Sequence, residues 1–492
     1  MSAGVVLFGL VLVPAFGAAV AYALRGAPAR SIVLVGTALL HALLVGLVWL
    51  RPGLSAASGW LVADSLGLVV LTLITILFLA VAHYAVGYLR EAGTRHARGG
   101  RAFVSCMLAF LGAATLVALS HHLAMLWIGM ETTTLAVAPL VFDRRDRRSL
   151  EAVWKYLVLS SVGIALALLG TFLLATAQPA GLQAGRPLVL DDMITHARML
   201  DPAWLRAAFV FLAIGFGTKM GLAPMHAWKP DTYGEAPSLV AGLMAGALTS
   251  CAFLGLARVT AICFAAGLDT FVRPVLVGFG VLSLAIAAAF IVGQRDVRRL
   301  LAYSSVEHMG LLVLGLGLGG VGAYGAVLHT LNNGLAKGLM FLAVGNVVLA
   351  TGTSTASEIR GLLRTLPATG VLLIVGLFAV TGSPPFGMFI SEFTILGAAF
   401  STGHAWVAGA TILFLVIIFV GIATMILELA YGPPPGTTTA NGSSVERGGE
   451  RTWLVVAPAG LAALVLMLGV FIPAPLANAL ARAAAVLGGH AP

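Results

Sequence analysis

Runs of apolar residues, each closed by a short polar or glycine-containing stretch, follow one another along almost the whole chain. A helix needs roughly 20 apolar residues to cross about 30 Å of hydrocarbon. On that criterion the sequence contains fourteen spans, at 4–25, 31–50, 65–89, 102–120, 122–142, 151–177, 204–222, 236–265, 271–293, 300–318, 321–350, 367–400, 404–431 and 453–472. With 492 residues in total this leaves about 35 per span, so the loops are short and a separate soluble domain has little room. The expected fold is an all-α integral membrane protein.

Two of the runs are interrupted in a comparable way. Ala213–Pro224 reads AIGFGTKMGLAP and Ala379–Glu392 reads AVTGSPPFGMFISE. Each sets glycine, proline and an ionisable side chain inside otherwise helical apolar sequence. Proline removes a backbone donor and breaks the helix. At membrane depth such a break survives only where protein or a water-lined cavity satisfies the freed groups, and a matching pair in two halves points to an inverted-repeat transport site. A third softening, LNNGLAKG at Leu331–Gly338, surrounds Lys337. His329, Asn333 and Lys337 are spaced four apart and share one helix face, where they either hold a file of water or form a packed polar seam. The expected organisation is three N-terminal helices (1–101), a first half-channel repeat (102–265), a second (266–431), and a cytoplasmic loop, last helix and tail (432–492). Each repeat has five helices, inverted relative to the other, with one broken helix.

Charge then orients the chain. Charged residues make up 10% of the sequence and the apolar set 60%, where a soluble domain carries about 25% charged. The 28 Lys+Arg and 19 Asp+Glu give +9. Sorted by alternate loops, one set holds Arg25, Arg30, Arg90, Arg95, Arg98, Arg101, Arg144, Arg145, Arg147, Arg148, Lys229, Arg295, Arg298, Arg299, Arg360, Arg364, Arg447 and Arg451, 18 basic residues against seven in the other. By the positive-inside rule the rich set is cytoplasmic and both termini lie on the opposite side. The basic excess is a topology signal and gives no support to a nucleic-acid partner. The opening residues resemble a signal-peptide core but lack a small-residue cleavage site followed by polar sequence, so they read as a retained first helix. Cys106, Cys251 and Cys263 fall inside apolar runs without CxxC or Cys/His grouping, which argues against an iron-sulfur centre, structural zinc or disulfides.

The three remaining basic residues, Lys155, Lys219 and Lys337, lie within the runs. Loops thus use arginine and the interior uses lysine, the side chain that gives up its proton when desolvated. Glu131, Glu307, Glu392, Glu428 and His329 are also inside spans. An ionisable group at bilayer depth costs at least about 2.5 kcal/mol on insertion scales, so function is the default reading. Lys155 has a structural alternative, pairing with Glu151 one turn away or snorkelling to the interface. Glu428, near a helix end, reads as structural. Glu307, beside His308, is either a proton-uptake group or an interfacial pair. Glu131, Lys219, Lys337 and Glu392 lie deepest and are the primary candidates.

At this point a resemblance becomes specific. The stretch KMGLAPMHAWKPDTYGEAPSLVAGLMAGALTSCAFLGLAR from Lys219 to Arg258 resembles the signature of the antiporter-like proton-translocating membrane subunits of complex I, Mrp-type antiporters and group 4 membrane-bound [NiFe] hydrogenases. WIGME at Glu131, EAVWKYLVLSSVGIALALLG from Glu151, DVRRLLAYSSVEHMG from Asp296, HTLNNGLAKGLMFLAVGN from His329, and RGLLRTLPATG followed by TGSPPFGMFISEFTIL fit the same pattern, over residues 100–400. AYSSVEHMG, SCAF and SEF most resemble the hydrogenase-4 component F type. The resemblance implies that Glu131 and Lys219 pair in the first half-channel, that Lys337 is a central lysine with His329 beside it, and that Glu392 ends the second half-channel. Lys155, Asn333, Glu307, His226 and Asp231 are secondary candidates. Two departures stand out. The helix after the first break often carries lysine or histidine in this family, and here it offers Ser238, Thr249 and Ser250. Asn333 stands where some members have a second histidine. Lys229, in WKPD, is also unusual. Leu476–Gly489 reads as an interfacial helix.

The implied function is proton translocation, gated by a Glu131–Lys219 pair, within a multisubunit redox complex of a bacterial or archaeal cell membrane. Partners would be the other membrane subunits of a complex I-like or hydrogenase-like assembly, and no cofactor or redox centre is expected on this chain. A Na⁺/H⁺ antiporter subunit, a membrane anchor with a vestigial channel, and a proton-influx module for another enzyme stay open as alternatives.

Overall fold

The computed structural model describes residues 3–91, 100–179, 188–433 and 450–488. Arg95, Arg98 and Arg447 of the arginine-rich set, and Gly489 of the expected terminal helix, lie outside these residues.

Among the described residues, thirteen helices are long and apolar enough to cross a membrane. They are α1 (Ala3–Ala23), α2 (Ala27–Leu50), α3 (Ser65–Glu91), α4 (Gly100–Leu119), α5 (Leu123–Val141, extended by a short turn), α6 (Arg147–Thr176), α7 (Pro202–Met220), α9 (Ser238–Ala265), α10 (Asp269–Ile291), α11 (Val297–Leu318), α12 (Val321–Thr351), α15 (Ala405–Tyr431) and α16 (Thr452–Val470). The short helix α8 (Trp228–Glu235) follows the break after α7. The expected run 367–400 is two shorter apolar helices, α13 (Pro367–Val380) and α14 (Gly387–Ser401), separated by the TGSPPF segment. All-helical construction is what lipid demands, since every backbone polar group at that depth must be bonded within its own segment.

Local chemistry sets the helix ends. Asp146 and Ser149 form a reciprocal capping box at the start of α6. Asp201 caps α7 with Pro202 in its first turn. Asp296 accepts from the backbone N–H groups of Arg298 and Arg299 at the start of α11. Helices α6 and α7 lie against each other through small residues: a side chain added at Gly215 would meet the carbonyl of Gly163 and the Cβ of Ala167.

Helices α9 and α11 are enclosed by protein on all sides, and α12 nearly so, whereas α1 and α15 are mostly exposed. The outward residues are apolar, among them Phe16, Ile32, Leu43, Phe172, Trp406 and Val470. On a multi-pass membrane protein these face lipid. The ionisable residues in the buried helices are therefore far from that outer surface.

Connecting segments collect on two faces, as the alternation of loops requires. On one, the β-hairpin Ser55–Ala56/Leu61–Val62 meets Ser120, and His122 bridges to Val189. The terminal helix α17 (Ala474–Val486) joins this face, with Arg482 Nε donating to Ser65 Oγ at 3.3 Å, and it buries Ala479, Leu480, Ala483 and Ala484 against protein. On the other, Asp296 bridges to Thr355, Arg144 pairs with Glu235 at 3.8 Å, and Arg451 pairs with Glu91 at 3.2 Å. Glu428 belongs here too, bonded to Arg360.

The charge map needs two corrections. Lys229, counted with the cytoplasmic loops, is fully buried on α8. Arg258, on α9, is also buried, so arginine is not confined to the loops. Both positions follow from tertiary contacts across the chain that a loop count does not contain.

Candidate functional site

The first cluster is built where α7 stops. Gly221 ends the helix in the left-handed conformation, φ +74°, with its N–H on the Thr218 carbonyl at 3.1 Å. Lys219, in the last turn, is fully buried between α5 and α6. Its Nζ donates to Thr134 Oγ1 and, at 3.2 Å, to the Tyr156 hydroxyl. Thr134 in turn donates to Glu131 Oε2 at 3.4 Å, and Ser161 donates to Oε1 at 3.4 Å. Glu131 and Lys219 are thus brought together, but through a hydroxyl and not as a direct ion pair.

The second cluster lies among α11, α12 and α14. Lys337 Nζ donates to Ser304 Oγ at 2.7 Å. Ser304 also reaches Glu307 Oε2 at 3.2 Å and His308 Nε2 at 3.5 Å. His308 Nδ1 and His329 Nε2 are 3.2 Å apart, and His329 Nδ1 is 2.9 Å from Ser391 Oγ. Glu392 follows Ser391 on α14, with a carboxylate oxygen and one nitrogen from each histidine within 4.8 Å of one another. That trio offers three donors to a metal ion, but the ring nitrogens already bond each other and Ser391. All of these side chains are buried. The result is one file of exchangeable hydrogens from Lys337 to the second break.

Secondary candidates divide. Lys155 pairs with both Glu151 (2.7 Å) and Asp231 (2.9 Å), and Arg299 pairs with Asp231 at 3.2 Å. With Arg148 and Glu235 these line an open cavity of about 550 Å³ on the arginine-rich face. Glu307 joins the buried file rather than an interfacial pair. Asn333 is buried on the same helix, and its amide bonds no protein group among the described residues. His226 sits half-buried in the turn between α7 and α8, its ring 6.3 Å from that of Tyr303, and does not join either cluster.

A further charged knot closes the opposite face. Arg258 Nη2 is 2.9 Å from Asp64 Oδ1 and 3.0 Å from the Ala118 carbonyl, and Nη1 donates to Ser120. His121 lies between Asp64 (3.3 Å) and Asp191 (3.5 Å). Burial pushes the Asp64 carboxyl up, but Arg258 and His121 outweigh it and hold it at about 2. Burial disfavours the charged His121 ring, yet Asp191 and Asp64 raise it above the ordinary histidine value. These groups tie the segments at Asp64, Ser120–His121 and Asp191 to Arg258 of α9 and bond to neither cluster.

Residues 120–418 match the family described as NADH:quinone oxidoreductase/Mrp antiporter, TM. The chain belongs to that family. It is 30% identical over 400 residues to the hydrogenase-4 component F homolog of Methylacidiphilum infernorum, covering 80% of this chain and 84% of that one. It is also 30% identical over 426 residues to NADH-quinone oxidoreductase subunit N of Desulforudis audaxviator, covering 84% and 82%. Among solved structures it is similar to a chain of the archaeal membrane-bound sulfane sulfur reductase (TM-score 0.86, 23% identity, 98% of each chain). A chain of the Mrp complex from Dietzia is similar as well (TM-score 0.85, 19% identity, 98% of this chain and 97% of that one). This antiporter-like membrane subunit shares the family fold over nearly its full length.

Within this family member, sequence reading named the ionisable ends of each cluster and missed the connectors. Thr134, Tyr156, Ser304 and Ser391 are ordinary residues in apolar helices, and only their meeting across helices makes them visible. His308 carried a signal, an imidazole one residue from Glu307. Lys229 carried one too, as a lysine in WKPD.

Proposed function

We propose that the chain carries protons across the membrane as one subunit of a larger membrane complex. The observation that carries this reading is the buried file from Lys337 through Ser304, His308 and His329 to Ser391 and Glu392, each step 3.5 Å or less as far as Ser391. Hydroxyls and imidazoles both donate and accept, so a proton delivered at one end can leave at the other.

Gating rests on the first cluster. A carboxylate and an ammonium separated by one hydroxyl, roughly 6 Å, attract by about 3 kcal/mol at an effective dielectric near 20. Moving a charge through 100 mV costs about 2.3 kcal/mol. A displacement of Glu131 by a neighbouring subunit is therefore enough to release a proton from Lys219 against a membrane potential. The charged cavity beside Lys155 and Asp231 supplies the wet approach from the arginine-rich, cytoplasmic face. The partners are the other membrane subunits of a complex I-like or hydrogenase-like assembly, whose chemistry is coupled reversibly to the movement, so that an imposed potential drives protons back through the same route.

The test uses the assembled complex, isolated through a tag on this chain and reconstituted into pyranine-loaded vesicles under a potassium diffusion potential with valinomycin. Lys219→Ala and Glu131→Ala should each suppress proton uptake while the complex still assembles. Normal uptake in both variants would sink the reading. Uptake that requires sodium in the medium would favour cation exchange instead.

A further inference from the structure

We propose that Lys229 is the proton carrier that joins the two clusters; the inference rests on the transport reading above. Between Lys219 with Tyr156 on one side and Lys337 with Ser304 on the other runs the segment of the break and α8. Of its basic and carboxylate side chains, Asp231 and Glu235 are partly exposed in the charged cavity and His226 is half-buried. Lys229 alone among them is fully enclosed.

Its position is built on both sides. The aliphatic stem crosses Gly221, where an added Cβ would fall 2.5 Å from Lys229 Cδ and Cε, so the glycine that ends α7 two residues beyond Lys219 also makes room for Lys229. The preceding residue, Trp228, packs its ring 5.2 Å from that of Tyr156, the hydroxyl partner of Lys219, and donates Nε1–H to the Thr218 carbonyl at 2.8 Å. At its far end Lys229 Nζ donates to Ser305 Oγ at 3.0 Å, beside the Tyr233 ring. Ser305 is the chain neighbour of Ser304, which holds Lys337. Two adjacent hydroxyls of α11 thus receive two lysines from different helices.

Simpler roles do not account for it. A topogenic lysine would reach the aqueous face. A structural ion pair would have a carboxylate, yet none lies within 4.0 Å among the described residues, and Asp231 pairs with Lys155 and Arg299 instead. Enclosing an ammonium without a counter-charge is strongly unfavourable, so packing alone would be met better by an apolar residue. Helix α9 carries no lysine or histidine, and its Thr249 and Ser250 hydroxyls donate to their own helix, at Ala245 and Gly246. A proton passes from the Lys219 ammonium, over water, to the neutral Lys229 amine, and from the Lys229 ammonium by way of Ser305, Ser304 or water to the Lys337 amine. Each step leaves one neutral amine and creates one ammonium.

The experiment is potential-driven proton uptake by the assembled complex in pyranine-loaded vesicles, comparing wild type, Lys229→Leu, Lys229→Arg and Lys229→His. Leu and Arg should each lower uptake by about tenfold or more, because one cannot hold the proton and the other cannot release it. His should recover part of the rate and shift its pH optimum downward. If the Leu variant does not assemble, Lys229→Gln keeps a polar stem of similar length and carries the same expectation. Uptake within twofold of wild type in the Leu or Gln variant, or full uptake in Arg, overturns the role of Lys229 and leaves the transport reading standing. Wild-type uptake no greater than that of empty vesicles removes both.

Discussion

Thr134 gives the sharpest view of how the first cluster works, because its hydroxyl accepts from Lys219 and donates to Glu131. Thr134→Val removes that oxygen and leaves the shape nearly unchanged. Lys219 keeps Tyr156, at 3.2 Å, so the site does not collapse. A hydrogen bond to a charged group contributes about 1.5–3 kcal/mol, which corresponds to roughly a ten- to hundredfold change in rate. Proton uptake by the reconstituted complex should fall by that factor, while Thr134→Ser stays within about twofold of wild type. A cycle with Glu131→Gln sharpens the claim. If the threonine acts by transmitting the charge of Glu131, adding Thr134→Val to Glu131→Gln costs little more than Glu131→Gln alone. Wild-type uptake in Thr134→Val, or losses that simply add in the double variant, would refute the relay.

The knot on the opposite face makes two predictions about stability. The difference between an ordinary carboxyl near 3.8 and Asp64 at about 2 is worth about 2 kcal/mol, present above pH 3.8 and lost as pH falls toward 2. Asp64→Asn should therefore lower the thermal midpoint of the detergent-solubilised protein at pH 7 by an equivalent amount or more, since it leaves Arg258 buried without its counter-charge. An unchanged midpoint would contradict this. His121 has the opposite sign: its value is raised, so its contribution is complete below pH 6.5 and lost as pH rises through its folded value. The midpoint of wild type should decline on the alkaline side of pH 6.5 more than that of His121→Gln, and parallel curves would count against the assignment.

The membrane fold was readable because apolar runs of helical length leave few alternatives in lipid, and both breaks were readable because glycine and proline beside an ionisable group are expensive there. The same cost exposed Glu131, Lys219, Lys337 and Glu392 as single residues. What joins them was not readable. Ser304 meets Lys337 from 33 positions away and Ser391 meets His329 from 62, and such pairings depend on how helices dock. Lys229 was misplaced for a related reason. Seen from the sequence it follows a break and precedes an acidic residue, the profile of a loop, whereas α8 folds back so that its first turn points inward against α11. The direct Glu131–Lys219 contact expected from resemblance became a mediated one because Thr134, one turn along α5, presents its hydroxyl between them.

The central claim is that the buried lysines exchange protons and do not merely fill space with charge. Lys337→Arg separates these directly, since arginine keeps the positive charge and hydrogen-bonding capacity but does not release its proton in a protein. In the assembled complex, potential-driven proton uptake should drop by about tenfold or more while assembly and thermal midpoint are retained. Uptake within twofold of wild type in Lys337→Arg would contradict the account.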